Sequence, residues 1–263
     1  MRLSLYMAII LPFFTISSVP EFIGALPVPE GFQRRNAVSG SYAAYIRQLR
    51  LKKDSTVYLF NGQLKPNQRA QFAVLTIPVK DNPLLQCADA VYLIRANWLF
   101  EQAFYQQLRF LASDGTWLSY SDWCKGVRYR LNGQRLSVAP SIAAPARLNS
   151  RDNFHRFMQV VYTYCGTASL ARQLKPKSDP ATMEIGDVFL KAGFPGHVMM
   201  VADLVYNKKG EKLFILLQGY MPAQDIHVVK AIGSGFAQPW QSYTGGNLQT
   251  PEWRFAEGCL YGW

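Results

Sequence analysis

Four cysteines and three histidines carry the reactive chemistry of this chain: Cys87, Cys124, Cys165 and Cys259, with His155, His197 and His227. A thiol becomes a nucleophile when an imidazole takes its proton, and the imidazole serves best when a third polar group fixes its tautomer. His197 has the context of such a base. It follows Gly193-Phe194-Pro195-Gly196, a turn between the apolar runs Val188-Phe189-Leu190 and Val198-Met199-Met200-Val201. Two buried strands joined by a tight turn would hold the ring on a rigid element, and a glycine lets another group approach the backbone closely. A histidine that merely closes a hairpin is the competing reading. Gln218 ends the next apolar run, Leu213-Phe214-Ile215-Leu216-Leu217. Antiparallel pairing puts that amide beside His197, where it can accept a hydrogen bond from one ring nitrogen. An ordinary polar strand end competes with it.

Two cysteines compete for the nucleophile. Cys87 lies near a helix start, where the helix dipole and a neighbouring imidazolium lower a thiol pKa. Cys165 is nearer to His197 in sequence but reads as well inside a helix. For both, a buried core cysteine is the plain alternative. His155 falls in the first turn of a helix and reads as a surface residue; His227, in Asp225-Ile226-His227-Val228-Val229, could face either way. The chain has no G-x-S-x-G elbow and no phosphate-binding glycine loop, and its cysteines are too widely spaced for a zinc cluster. No metal and no cofactor is expected.

The elements that must position these groups follow from periodicity and punctuation. Tyr42, Tyr45, Ile46 and Leu49 recur at helical spacing; Val57 to Phe60 reads as a strand closed by Asn61-Gly62. Phe72 to Val79 reads as a second strand, with Pro78 marking it as an edge. Asn82 as N-cap and Pro83 as first helical residue open a helix carrying Leu84, Cys87, Ala88, Val91, Ile94 and Trp98 on one face. That start puts Cys87 in the second turn and turns Asp89 to the opposite side. Residues 105–150 lean to β-structure, with a hairpin about Asn132-Gly133 and a loop from Ala139 to Ser150. A second helix starts near Asp152 and runs through Phe154, Phe157, Met158, Val161, Cys165 and Ala168, weakened at Gly166. Beyond residue 218, Gly, Pro and aromatics predict mostly loop.

Composition limits the rest. With 49% apolar and 17% charged residues the chain is globular, and its net charge of +11 suits an anionic partner such as a cell-envelope polymer. No basic cluster is dense enough to indicate nucleic acid. Met1-Arg2 followed by an apolar stretch to Ser18 reads as a secretory signal peptide, cleaved near residue 18 or 25, with no stable membrane span afterwards. The chain is therefore expected to be periplasmic or extracellular. In that compartment, with one cysteine kept free, a single disulfide remains, and Cys124 with Cys259 is the pairing chosen.

Several stretches carry a resemblance. Tyr58-Leu59-Phe60-Asn61-Gly62, Leu85-Gln86-Cys87-Ala88-Asp89-Ala90, Gly166-Thr167, Gly186-Asp187-Val188-Phe189, Pro195-Gly196-His197, Tyr220 to His227 and Thr250-Pro251-Glu252-Trp253 resemble a family of exported bacterial proteins known as domain of unknown function 4846. That resemblance spans nearly the whole mature chain and implies alanine where this chain has Cys165. More loosely, Gly186-Asp187-Val188-Phe189 followed by Gly196-His197-Val198 is similar to the strand–turn–strand of NlpC-type papain-like cell-wall hydrolases and amidases. In those a cysteine at a helix start comes first, the histidine matches His197, and a polar residue follows on the next strand.

The expectation is an α+β, papain-like fold: residues 26–263 as one domain, an antiparallel sheet packed against helices, and an inserted β-rich segment at about 105–150. Cys87, His197 and Gln218 are the expected catalytic residues of a cysteine hydrolase or amidase acting on a cell-wall peptide or acyl substrate. The alternative is an inactive envelope protein of the same fold that binds peptide or glycan, with Trp240, Tyr243, Trp253 and Trp263 as exposed contacts.

Overall fold

A computed structural model describes residues 20–140, 146–233 and 238–263. The stretch up to Ser18 that reads as a signal peptide, and part of the segment after Ala139 that reads as a loop, lie outside them. In chain order the first elements are β1 (Phe32–Arg34), α1 (Tyr42–Arg47), β2 (Gln71–Val74) and α2 (Cys87–Glu101). A middle segment follows with β3 (Arg109–Leu111), β4 (Trp117–Ser119), α3 (Tyr120–Cys124), β5 (Val127–Asn132) and β6 (Arg135–Pro140). Then come α4 (Arg151–Tyr164), α5 (Thr167–Gln173), β7 (Lys175–Pro176), β8 (Val188–Lys191), β9 (His197–Asn207) and β10 (Lys212–Gln218). The chain ends with β11 (His227–Val229), β12 (Leu248–Gln249), β13 (Arg254–Phe255) and β14 (Leu260–Gly262).

The architecture is mixed α/β, with five α-helices among the described residues and antiparallel pairing throughout. The main sheet runs β2-β11-β10-β9-β8-β14-β7. β9 is long enough to pair with β8 at its His197 end and with β1 at its Asn207 end. Residues β3 to β6 form two separate hairpins about α3, in the β-leaning segment expected there.

Alternation along β9 divides the apolar side chains between two cores. Val198, Met200 and Ala202 face the larger core with α2 and α4, whereas Met199 and Val201 face a smaller one with Phe189, Phe214, Leu216 and Phe255. The register with β10 slips between Ile215 and Leu216, a bulge that leaves Ala202 unpaired and brings Asp203 opposite Ile215.

Several expectations shift for local reasons. Asn82 and Pro83 make a turn, Leu85 N–H closing onto the Asn82 carbonyl at 3.3 Å, and α2 begins only at Cys87. Cys87 is therefore the first helical residue. The helix begun at Arg151, capped by the Ser150 hydroxyl, ends at Tyr164, because Cys165 and Gly166 are extended. Cys165 is thus a helix end rather than a helix interior. All four cysteines are buried and free, so no Cys124–Cys259 disulfide forms; Cys124 Sγ instead accepts from Asn153 Nδ2 at 3.1 Å. The terminal region contributes β11 and β14 to the main sheet and is not mostly loop. Trp240 is buried with Nε1 donating to the Pro27 carbonyl at 2.7 Å, and Tyr243, Trp253 and Trp263 are each half-buried, so no exposed aromatic platform forms.

Candidate functional site

His197 opens β9 because the turn before it tolerates no side chain at Gly196: a Cβ there would collide with Thr167 Oγ1 and the Gly193 carbonyl. Leu217 pairs with Met200 and Gln218 with His227. The three polar residues therefore end neighbouring strands and lie within one diagonal step of each other on one sheet face. That face is the one opposite α2. The His197 ring packs there against Trp253, Tyr220 and Phe255, with ring centroids 4.8, 4.9 and 6.0 Å away.

One hydrogen-bonded chain joins these groups. His197 Nε2 lies 3.2 Å from Gln218 Oε1; Gln218 Nε2 lies 3.0 Å from His227 Nε2 and 2.7 Å from Glu252 Oε2. His227 Nδ1 lies 2.9 Å from the Asp225 carbonyl. Proton positions follow from which groups can donate. A carbonyl only accepts, so His227 carries its proton on Nδ1 and presents a lone pair at Nε2. Both protons of the Gln218 amide are then taken up, one by that lone pair and one by the Glu252 carboxylate. Oε1 must face His197, whose Nε2 must donate. The free lone pair of His197 is on Nδ1, which makes it the atom able to accept a proton. Lys65, buried, holds Glu252 in turn at 2.8 Å. Ring-nitrogen shifts in a ¹⁵N NMR spectrum are expected to show opposite tautomers, Nε2–H at His197 and Nδ1–H at His227; the same tautomer at both would contradict this chain of donors.

Burial holds both rings neutral. His197, 2% exposed, is pushed down to about 4 by desolvation, partly offset by its bond to Gln218. His227 is pushed down to about 3 by desolvation and by the Lys65 charge. The unfolded chain protonates both near 6.5, so each histidine costs stability as pH falls from about 6.5 towards its folded value. Asp89, raised to about 8 by burial, acts in the other direction over the same interval. Asp89→Asn removes that opposing proton. Its stability, followed by urea denaturation, is expected to fall more steeply than wild type below pH 6.5, by about 1.4 kcal/mol per pH unit.

Cys87 approaches the same place from the α2 face. The backbone N–H groups of Ala88, of Val198 (the residue after His197) and of Cys87 itself lie towards its sulfur and favour the ionised form. Gly219 makes room: a Cβ there would sit 3.0 Å from the Gln86 carbonyl. Burial, then the Asp89 carboxyl, push the thiol up to about 11 despite those N–H groups. At neutral pH the pair is thus a thiol and a neutral imidazole. Among the described residues no hydrogen bond joins Cys87 to His197; they meet the start of β9 from opposite faces.

The sequence reading turned Asp89 away from Cys87, but both line one cavity of about 230 Å³, because the Asp89 side chain folds back over the helix start to accept from the Gln86 N–H. Cys165 lines it too, with burial and the Asp89 and Asp114 charges holding its thiol far above the ordinary range. His155 is exposed, as expected, while His227 is fully buried in the hydrogen-bonded chain. Lys65 and Glu252 went unrecognised. An isolated lysine and an acidic residue in Pro251-Glu252-Trp253 carry no spacing that links them across the chain.

Residues 24–261 match the sequence profile described as Domain of unknown function (4846). No curated protein and no solved structure matches the chain. With the profile covering nearly all of its length, the chain belongs to the family Domain of unknown function (4846).

Proposed function

We propose that this protein is an exported, papain-like cysteine hydrolase or amidase that cleaves a peptide or acyl group of the cell envelope. The observation that carries the reading is the tautomer-locked His197–Gln218 pair on consecutive antiparallel strands, with the first residue of α2, Cys87, packed at the start of the His197 strand. Cys87 Sγ attacks an amide carbonyl, its proton passes to His197 Nδ1, and the imidazolium returns that proton to the leaving amine. The thioester left on Cys87 is then hydrolysed by water that His197 deprotonates. The backbone N–H groups of Cys87 and Ala88, unpaired within the helix because they belong to its first turn, pass from the sulfur they now favour to the developing oxyanion as the thiol attacks. Because the two side chains meet β9 from opposite faces, the first transfer requires a rearrangement at the start of that strand, and Tyr220 and Trp253, both half-buried against the ring, are the walls that yield. The apolar leader and the charge of +11 support a place in the envelope among anionic polymers.

One observation favours the non-catalytic reading, a binder of peptide or glycan: the sealed, neutral His197 and the neutral Cys87 thiol. Digestion of purified peptidoglycan separates the two. Hydrolysis releases soluble fragments with new amino termini, detected by mass spectrometry, from wild type and not from Cys87→Ala. Saturable binding with no fragments from either protein would sink the hydrolase.

A further inference from the structure

The cavity beside Cys87 is walled by Cys87, Asp89, Cys165, Thr167, Gly196 and Met221 among others, and no Lys, Arg or His is among its lining residues. Asp89, 6% exposed, is its one carboxyl. Oδ2 accepts from the Gln86 N–H at 3.1 Å, whereas Oδ1 is buried with no hydrogen-bond partner. Asp89 forms no ion pair among the described residues, and nothing on the cavity wall balances a negative charge there. The acid is therefore neutral, and since Oδ2 already accepts, the proton belongs on Oδ1. Burial accordingly pushes its pKa up to about 8. Of the two other hydroxyls on the wall, Thr167 Oγ1 already donates to the Gly193 carbonyl at 3.2 Å, and that of Tyr162 is a second uncharged donor. What the cavity has to offer is uncharged O–H donors, that of Asp89 lying two residues along α2 from the thiol.

We propose that this cavity is a substrate pocket for an uncharged, carbonyl-bearing group, an amide flanking the bond that is cut, which accepts a hydrogen bond from Asp89. The inference rests on Cys87 as the nucleophile and adds the class of group that must sit beside it. An ammonium group would need Asp89 ionised in apolar surroundings, and a carboxylate would enter a pocket with no cation to meet it. The basic surface draws in an anionic polymer at long range, while the pocket selects a neutral amide at contact.

Thiol reagents of similar size and different charge test this on the full chain without reference to hydrolysis. Iodoacetamide, iodoacetate and 2-bromoethylammonium each alkylate a thiol by forming an S–C bond as halide departs, the thiol proton going to buffer. The rate at Cys87 is followed by peptide mass mapping, which separates it from Cys165, and each rate is divided by that of glutathione with the same reagent. Wild type is expected to favour iodoacetamide over both charged reagents by about tenfold, the range of one net hydrogen bond. Asp89→Ala equalises the three. Because alanine also removes the contact to Gln86, Asp89→Asn is the second variant: its amide N–H donates to the same oxygen, so the preference persists. A preference for the cationic reagent that Asn abolishes, or equal rates in every variant, overturns the pocket. Failure of all three reagents to label Cys87 overturns both pocket and nucleophile. Retained selectivity without release of peptidoglycan fragments upholds the pocket and defeats the hydrolase alone.

Discussion

Cys87→Ala is expected to abolish release of peptidoglycan fragments, and His197→Ala to lower kcat/KM by on the order of 10³-fold or more, with both variants folded. The two effects are not expected to add, because thiol and base act in one step: the double variant should be no slower than the worse single one. Gln218→Leu tests the same unit through the tautomer. It strips a hydrogen-bond partner from His197 Nε2, His227 Nε2 and the Glu252 carboxylate together, so the ring is free to carry its proton on the atom that should be basic. A wild-type rate in Cys87→Ala would end the nucleophile assignment. A Gln218→Leu variant that keeps full rate would show that the tautomer is set elsewhere.

The second large effect is on stability. Asp203 is fully buried at the β9 bulge and receives Arg34 Nε from β1 at 2.6 Å and Arg47 Nε from α1 at 2.7 Å. Removing the carboxylate leaves two guanidinium groups, 21% and 12% exposed, facing each other without a counter-charge. Breaking a buried ion pair by deleting one partner costs about 3–5 kcal/mol, so Asp203→Ala should lose at least that much. The midpoint of urea unfolding measures it; a loss below about 1 kcal/mol would show that the arginines find other partners. Asp203 lies five residues along β9 from Val198, about 17 Å of extended strand, so a rate change beyond lost folded protein is not expected.

What could be read from residues alone was local. His197 after the Gly193-Phe194-Pro195-Gly196 turn and Gln218 at the end of the following strand are fixed by alternation and turn chemistry within 40 residues, and the structure joins them by a hydrogen bond. The α2 start was misread because Asn82-Pro83 serves a turn as well as a helix cap, and only the packing of Gln86 over Gly219 selects between them. Cys165 and Gly166 look helical by apolar spacing, yet the chain extends there; Ser169 then caps the next helix by accepting the Gly166 N–H at 3.0 Å. Asp89 was misplaced because helical spacing gives only the direction of its Cβ, whereas its carboxyl reaches back over the helix start to the Gln86 N–H. Glu252 and Lys65 could not be paired in advance, since sequence spacing says nothing about groups brought together by the ends of a sheet.

The Gln218 amide has a direction. Its nitrogen is turned by a carboxylate and a lone pair on one side, and its oxygen therefore turns to the imidazole on the other. It works as a one-way relay: the charge at Glu252 chooses which nitrogen of His197 is basic without touching that ring. A Glu252→Lys change would demand an acceptor where the amide now donates, against the His227 lone pair that asks for a donor there; where the lysine prevails, the amide flips end for end and presents His197 with a donor. The base would then turn its lone pair away from the thiol, so that residue 252 can switch the chemistry at residue 197 while every atom of the His197 side chain is left in place.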